Sequence, residues 1–105
     1  MNKYRITIPR KKIAEFCRRR QVVEFSLFGS VLREDFRPDS DVDVLVTFAP
    51  DAQVSLFDLV DMQDELEIIF KREVDLVEKQ AVLESRNYIR RKSILANTRI
   101  IYAQG

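Results

Sequence analysis

A single domain that mixes helices with strands is what this sequence predicts, and three observations carry that expectation. At 105 residues the chain fits one domain, residues 1–105, because domains commonly run from about 50 to 250 residues. Hydrophobic residues make up 46% and charged residues 33%, with two glycines and three prolines, a composition that suits a packed globule and not disorder or a collagen-like repeat. The spacing of apolar residues then changes along the chain, from helical to alternating and back again.

Residues 9–21 read as a helix. Pro9 suits a first turn, Ile13, Ala14, Phe16 and Cys17 fall at helical spacing, and Arg18, Arg19 and Arg20 suit the negative end of the macrodipole. Val22 to Phe28 (VVEFSLF) is rich in β-branched and aromatic residues and reads as a strand that ends at Gly29. Ser30 to Glu34 can start a helical turn, and Asp35 to Ser40, with Pro38 as breaker, reads as a polar loop. Asp41 to Phe48 (DVDVLVTF) is the clearest strand, with Asp41 and Asp43 on one face and Val42 and Val44 on the other. After a loop at Pro50 to Val54, a helix is expected from Ser55 to about Lys71. Ser55 is its N-cap, Asp58 forms a variant capping box, and Leu56, Leu59, Met62, Leu66 and Ile69 form the inner stripe. Val74 to Val77 reads as a third strand, Gln80 to Ser85 as a connection or short helix, and Arg86 to Asn97 as a basic helix. Ile100 to Ala103 is an apolar tail, either a last strand or a docked end.

Several functions are excluded by composition. No apolar stretch approaches the roughly 20 residues of a membrane span, and the basic first twenty residues lack the apolar core of a signal peptide. The expectation is a soluble, cytoplasmic protein with no membrane partner. One cysteine, Cys17, forbids an internal disulfide. With no histidine, Ser-His-Asp and Cys-His pairs and His-based zinc sites cannot be built from this chain. Carboxylate, lysine, tyrosine and metal-ion chemistry remain. The net charge of +1 conceals a segregation: residues 1–20 carry +7, residues 21–85 carry −11 and residues 86–105 carry +5. A generic nucleic-acid binder is basic over a whole face, so direct nucleic-acid binding is not expected. Either the basic ends fold back on the acidic body, or they face an anionic ligand or partner while the acidic centre holds cations.

The chemistry is concentrated in three aspartates on expected strands: Asp41 and Asp43 two apart, and Asp75 on another strand. Aspartate is disfavoured in strands, and two carboxylates on one face repel unless a cation lies between them. Oxygen donors without His or Cys select Mg²⁺, or Mn²⁺, over zinc. If the Asp75 strand lies beside the Asp41 strand, three carboxylates converge as in a two-metal site. Gly29 and Ser30, where strand gives way to helix, let backbone N–H groups and a hydroxyl approach phosphate oxygens, and Arg33 follows one turn later.

The stretch LFGSVLREDFRPDSDVDVLV, Leu27 to Val46, resembles the signature of the minimal nucleotidyltransferases of the DNA polymerase β-like nucleotidyltransferase superfamily: Gly-Ser, ten residues, Asp-x-Asp. REVDLVEK, Arg72 to Lys79, is similar to the family's third-carboxylate strand, and the ending in IIYA looks like the family's own. Glu34 stands where members often have glycine, and Phe70 and Lys71 stand where many have Leu-Gly. The resemblance implies an α+β fold with a small mixed sheet, and transfer of AMP from ATP to a hydroxyl with release of pyrophosphate. It implies Asp41 and Asp43 as ligands of two Mg²⁺ ions, Asp75 as ligand of the catalytic ion, and Gly29, Ser30 and Arg33 as nucleotide-binding residues. It also implies a partner, a HEPN-domain ribonuclease toxin adenylylated on a tyrosine and held in a hetero-oligomer with this antitoxin. A binding-only antitoxin, or the catalytic subunit of a small-molecule adenylyltransferase, are the alternatives.

Overall fold

The computed structural model describes residues 8–29 and 41–104. Its elements, in chain order, are α1 (Arg10–Arg20), β1 (Val22–Phe28), β2 (Val42–Phe48), α2 (Leu56–Phe70), β3 (Val74–Glu78), α3 (Lys79–Leu83), α4 (Tyr88–Ala96) and β4 (Thr98–Ala103). Among the described residues the strands form one mixed sheet in the order β3-β2-β1-β4. β1 pairs antiparallel with β2 and with β4, and β2 pairs parallel with β3. A parallel pair needs a crossover, and α2 provides it. The expected α+β class is the one found. Helix and strand boundaries move by one or two residues, and the apolar tail is a strand.

The sheet is covered on both faces. On one side Val22, Phe25, Leu27, Val42, Val44, Val46 and Val74 meet Ile13, Phe16 and Cys17 of α1 and Met62, Leu66 and Phe70 of α2. Each such side chain, fully buried, contributes about 1.5–3 kcal/mol, and the Phe16 and Phe25 rings meet edge to face with centroids 6.3 Å apart. On the other side a smaller cluster joins Phe28 and Leu45 to Val82 of α3 and Ile94 of α4.

Local chemistry explains the ends of these elements. Ser55 accepts the Asp58 N–H at 3.1 Å, and Asp58 Oδ2 accepts the Ser55 N–H at 2.9 Å, so the capping box forms as the spacing predicts. Asn87 caps α4 by accepting the Arg90 N–H at 3.0 Å. α1 stops at Gln21 and α2 at Lys71, both with φ of 59°, a left-handed conformation in which glycine is the usual residue.

Two expectations need correction. Leu56, assigned to the inner stripe of α2, is 74% exposed at the first position of the helix. Asp41 lies one residue outside β2; pairing with β3 begins at Val42 opposite Val74.

The outer edge of β3 is closed by α2. The Val74 N–H donates to Glu67 Oε2 at 3.1 Å and the Leu76 N–H to Gln63 Oε1 at 3.4 Å, which occupies an edge that could otherwise template aggregation. The basic N-terminal helix does fold back on the acidic body: Arg19 and Arg20 both bond the Glu65 carboxylate. Hydrogen bonding by Arg19 comes first among the causes that hold the Glu65 carboxyl below its ordinary range, opposed by its partial burial. No described helix is long and apolar enough to cross a membrane.

Candidate active site

Alternation along β2 decides where its aspartate points. Val42, Val44 and Val46 are buried under α1 and α2, so Asp43 and Leu45 project from the opposite face. β3 repeats the pattern, with Val74 in the same core and Leu76 packed against it; Asp75 and Val77 therefore share the face of Asp43. Parallel register places Asp43 directly beside Asp75. Adjacent strands lie about 4.8 Å apart, so the two carboxylates start from neighbouring backbone positions. Asp75 is exposed and Asp43 half-buried. Asp41, also exposed, precedes Asp43 by two residues at the mouth of the strand pair.

β1 brings the third component. Its last residue, Phe28, pairs with Asp43, and the chain then turns through Gly29 at φ +74°. A Cβ at Gly29 would lie 3.2 Å from Asp43 Cγ and would overlap Oδ2. Two independent constraints, backbone conformation and the nearby carboxylate, therefore favour glycine here. Ser30 and Arg33 lie outside the described residues.

The donor set offered by Asp41, Asp43 and Asp75 is all oxygen, and the space left at Gly29 lets the Asp43 carboxylate sit beside the turn; both features fit a hard divalent cation. Among the described residues no three His, Cys, Asp or Glu side chains are already gathered tightly enough to enclose an ion. The paired positions are Asp43 and Asp75, with Asp41 one step beyond the strand.

A second feature on this face is invisible in the sequence. A cleft of about 200 Å³ lies between α3 and α4, lined by Val77, Ala81, Val82 and Ile94 with Ser85, Arg90 and Arg91. Sequence reading prefers a solvated helix face or partner contact for Arg90 to Lys92 over a nucleotide ligand. Only the packing of α4 against α3 gives Arg90 and Arg91 a cavity in common, and no spacing rule signals that.

The family model described as "Nucleotidyltransferase domain" matches residues 10–101. The chain belongs to the nucleotidyltransferase domain family. A relative from Thermococcus cleftensis named "Protein adenylyltransferase MntA" is 35% identical over 77 residues, 73% of this chain and 73% of the relative. Among solved structures, a toxin–antitoxin complex with AMP-PNP superposes with a TM-score of 0.71 at 18% identity, over 92% of this chain and 75% of that one. The complex of tri-AMPylated Shewanella oneidensis HEPN toxin with its MNT antitoxin gives 0.61 at 18% identity, over 90% of this chain and 70% of that one. These structural likenesses show the nucleotidyltransferase fold.

Proposed function

We propose that this nucleotidyltransferase transfers AMP from ATP to a tyrosine hydroxyl of a HEPN-type toxin and thereby acts as its antitoxin. The observation that carries the reading is the Asp43–Asp75 pair, side by side on parallel strands and next to the positive-φ turn at Gly29. The name of the Thermococcus relative and the partners in the superposed complexes support the acceptor class.

In the proposed reaction the acceptor oxygen bonds to the α-phosphorus of ATP. The bond from that phosphorus to the α,β-bridging oxygen breaks, and pyrophosphate leaves. Backbone N–H groups at the Gly29 turn, together with Ser30 and Arg33, hold the β and γ phosphates. Asp75, exposed on its strand, receives the proton of the attacking hydroxyl and passes it to water. Asp41, Asp43 and Asp75 would hold Mg²⁺, two ions in the full arrangement, which when bound neutralises the triphosphate and lowers the charge barrier to attack. One bulky anionic AMP beside an RNA-binding site repels phosphates and blocks entry.

The test is intact-mass analysis of a HEPN-type toxin after co-expression with this chain. The wild-type protein adds AMP units, and Asp43→Asn, which keeps the side-chain volume but removes the charge, adds none. Full transfer by Asp43→Asn, or silencing of the toxin by wild type with no added mass, overturns the proposal.

A further inference from the structure

The outer sides of α2 and α4 carry apolar residues that the fold leaves uncovered. Along α2, Phe57 (82% exposed), Val60 and Ile68 (77% exposed) recur at helical spacing, with Asp61 and Asp64 between them, on the side away from Met62 and Leu66. Along α4, Ile89 (79% exposed), Ser93 and Ala96 recur at i, i+4 and i+7 on the side away from Ile94 and Leu95, and all three are exposed. The same spacing puts Arg90 on one flank of this seam and Lys92 on the other, both exposed. Apolar side chains gathered into a patch with a polar rim mark interaction surfaces, whereas scattered ones do not.

Charge says which surface each seam fits. The acidic residues of α2 are Asp58, Asp61, Asp64, Glu65 and Glu67, and the helix has no basic one. Three of them are used within the chain: Asp58 caps the helix, Glu65 bonds Arg19 and Arg20, and Glu67 accepts the Val74 N–H. Asp61 and Asp64 remain, exposed and without a partner among the described residues. α4 is the converse, with Arg90, Arg91 and Lys92 and no acidic residue, and no acidic residue follows Ser85 in the sequence. Setting α2 against another α2 would oppose Asp61 and Asp64 to themselves, and α4 against α4 would do the same to Arg90 and Lys92. Like charges across an interface are costly, and only the unlike pairing of α2 with α4 avoids them. α2 packs on the Val44 side of the sheet and α4 on the Leu45 side. One copy therefore cannot join its own two seams, and two copies cannot exchange both contacts with each other.

We infer that the outer seam of α4 docks on the outer seam of α2 of a second copy of this chain, head to tail. From Ile89 to Ala96 the α4 seam is about 10 Å long and from Phe57 to Ile68 the α2 seam is about 16 Å long, so the first fits within the second. Ser93 and Ala96 are small enough to let the helix axes approach to the near end of the usual 8–10 Å, with Phe57 and Ile68 covering Ile89 and the ends of α4, and Arg90 and Lys92 facing Asp61 and Asp64. A contact of this kind is heterologous and leaves one unpaired seam at each end, so it propagates beyond a dimer. One helix pair is small beside the roughly 1,200–2,000 Å² of a stable interface, so the association is weak and set by concentration. The inference is independent of the transfer reading, which stands or falls by the mass of the acceptor.

Sedimentation equilibrium of the purified full chain from micromolar to millimolar concentration tests it. The average mass should rise with concentration past that of a dimer, and added salt should reduce it because exposed charges are screened. The discriminating variants reverse one seam each: Arg90→Glu with Lys92→Glu on α4, and Asp61→Lys with Asp64→Lys on α2, all at exposed positions. Alone, each variant should associate at least tenfold more weakly than wild type. Mixed in equal amounts they should recover association, because the intact α2 of one meets the intact α4 of the other; that recovery also shows both variants to be folded. A wild type that stays monomeric up to millimolar concentration leaves both seams to other proteins and overturns the inference. So does association that neither reversal weakens, or a mixture no more associated than its components.

Discussion

Replacing Gly29 by alanine separates backbone strain from collision with the site. At φ +74° an L-residue costs about 1–2 kcal/mol, of which about 0.4–1 kcal/mol is returned because alanine stiffens the unfolded chain. The new Cβ also overlaps Asp43 Oδ2 and stands 3.2 Å from Cγ. The carboxylate must leave its rotamer, at about 0.5–1.5 kcal/mol. Together these terms predict a loss of about 2 kcal/mol and displacement of Asp43 from its position beside Asp75, with transfer activity falling by more than the loss of folded protein explains. The assay is urea denaturation of Gly29→Ala, Asp43→Ala and the double variant. When Asp43 is alanine, only its Cβ remains, at 3.5 Å from the new methyl, an ordinary contact. The cost of Gly29→Ala should therefore shrink by about 1 kcal/mol in that background. Equal costs in the two backgrounds would show that the carboxylate does not occupy the space above the turn.

Three further outcomes are expected. Lys71→Gly should raise stability by roughly 0.5–1 kcal/mol, measured by thermal or urea unfolding, because Lys71 closes α2 at φ 59° where glycine is relieved of the left-handed penalty; a loss of stability would contradict that. Glu65→Gln should cost roughly 0.5–1 kcal/mol at neutral pH, discounted because Arg19 is half-exposed. The Glu65 carboxyl is held low in the folded state, so the difference from wild type is present above the unfolded value and disappears as pH falls through the folded one, which a denaturation series from neutral to acid pH reads directly. Cys17 is fully buried, and burial, opposed by nearby Arg18, raises its thiol to about 12. The folded state therefore holds this proton where the unfolded chain releases it, and stability should fall from about pH 9 towards 12 at up to about 1.4 kcal/mol per pH unit. Cys17→Ala should remove that part of the slope.

The readable parts of this fold were those set by local rules. VVEFSLF and DVDVLVTF form strands because their apolar and β-branched residues suit a pleated surface, and Ser55 with Asp58 starts α2 because both partners of the box lie within one turn. What was not readable depends on the third dimension. Lys71 gives no sign in its own chemistry that it must adopt a left-handed conformation; the following strand dictates the turn. Leu56 has the spacing of a core leucine, yet at the first position of α2 it is exposed. The same division holds at the site. The spacing of Asp41 and Asp43 and the glycine at the strand end could be seen directly, whereas the neighbouring of Asp43 and Asp75 depends on parallel pairing through α2, and the association of Arg90 and Arg91 with Val77 depends on how α4 docks.

The order of strands also bears on how the molecule comes together and comes apart. The pairings that build the site are the nearer ones along the chain: Phe28 with Asp43, and Asp43 with Asp75 across a single intervening helix. β4 joins last in sequence, through the most distant partners, Glu24 with Ala103, and closes late because long loops are entropically costly. It is also an edge strand with no fully buried residue. Local opening should therefore begin there, with the amides of Thr98–Ala103 exchanging with solvent well before those of β2. Opening of the C-terminal strand should leave the Asp43–Asp75 pairing in place, because that pairing lies on the two strands farthest from it in the sheet.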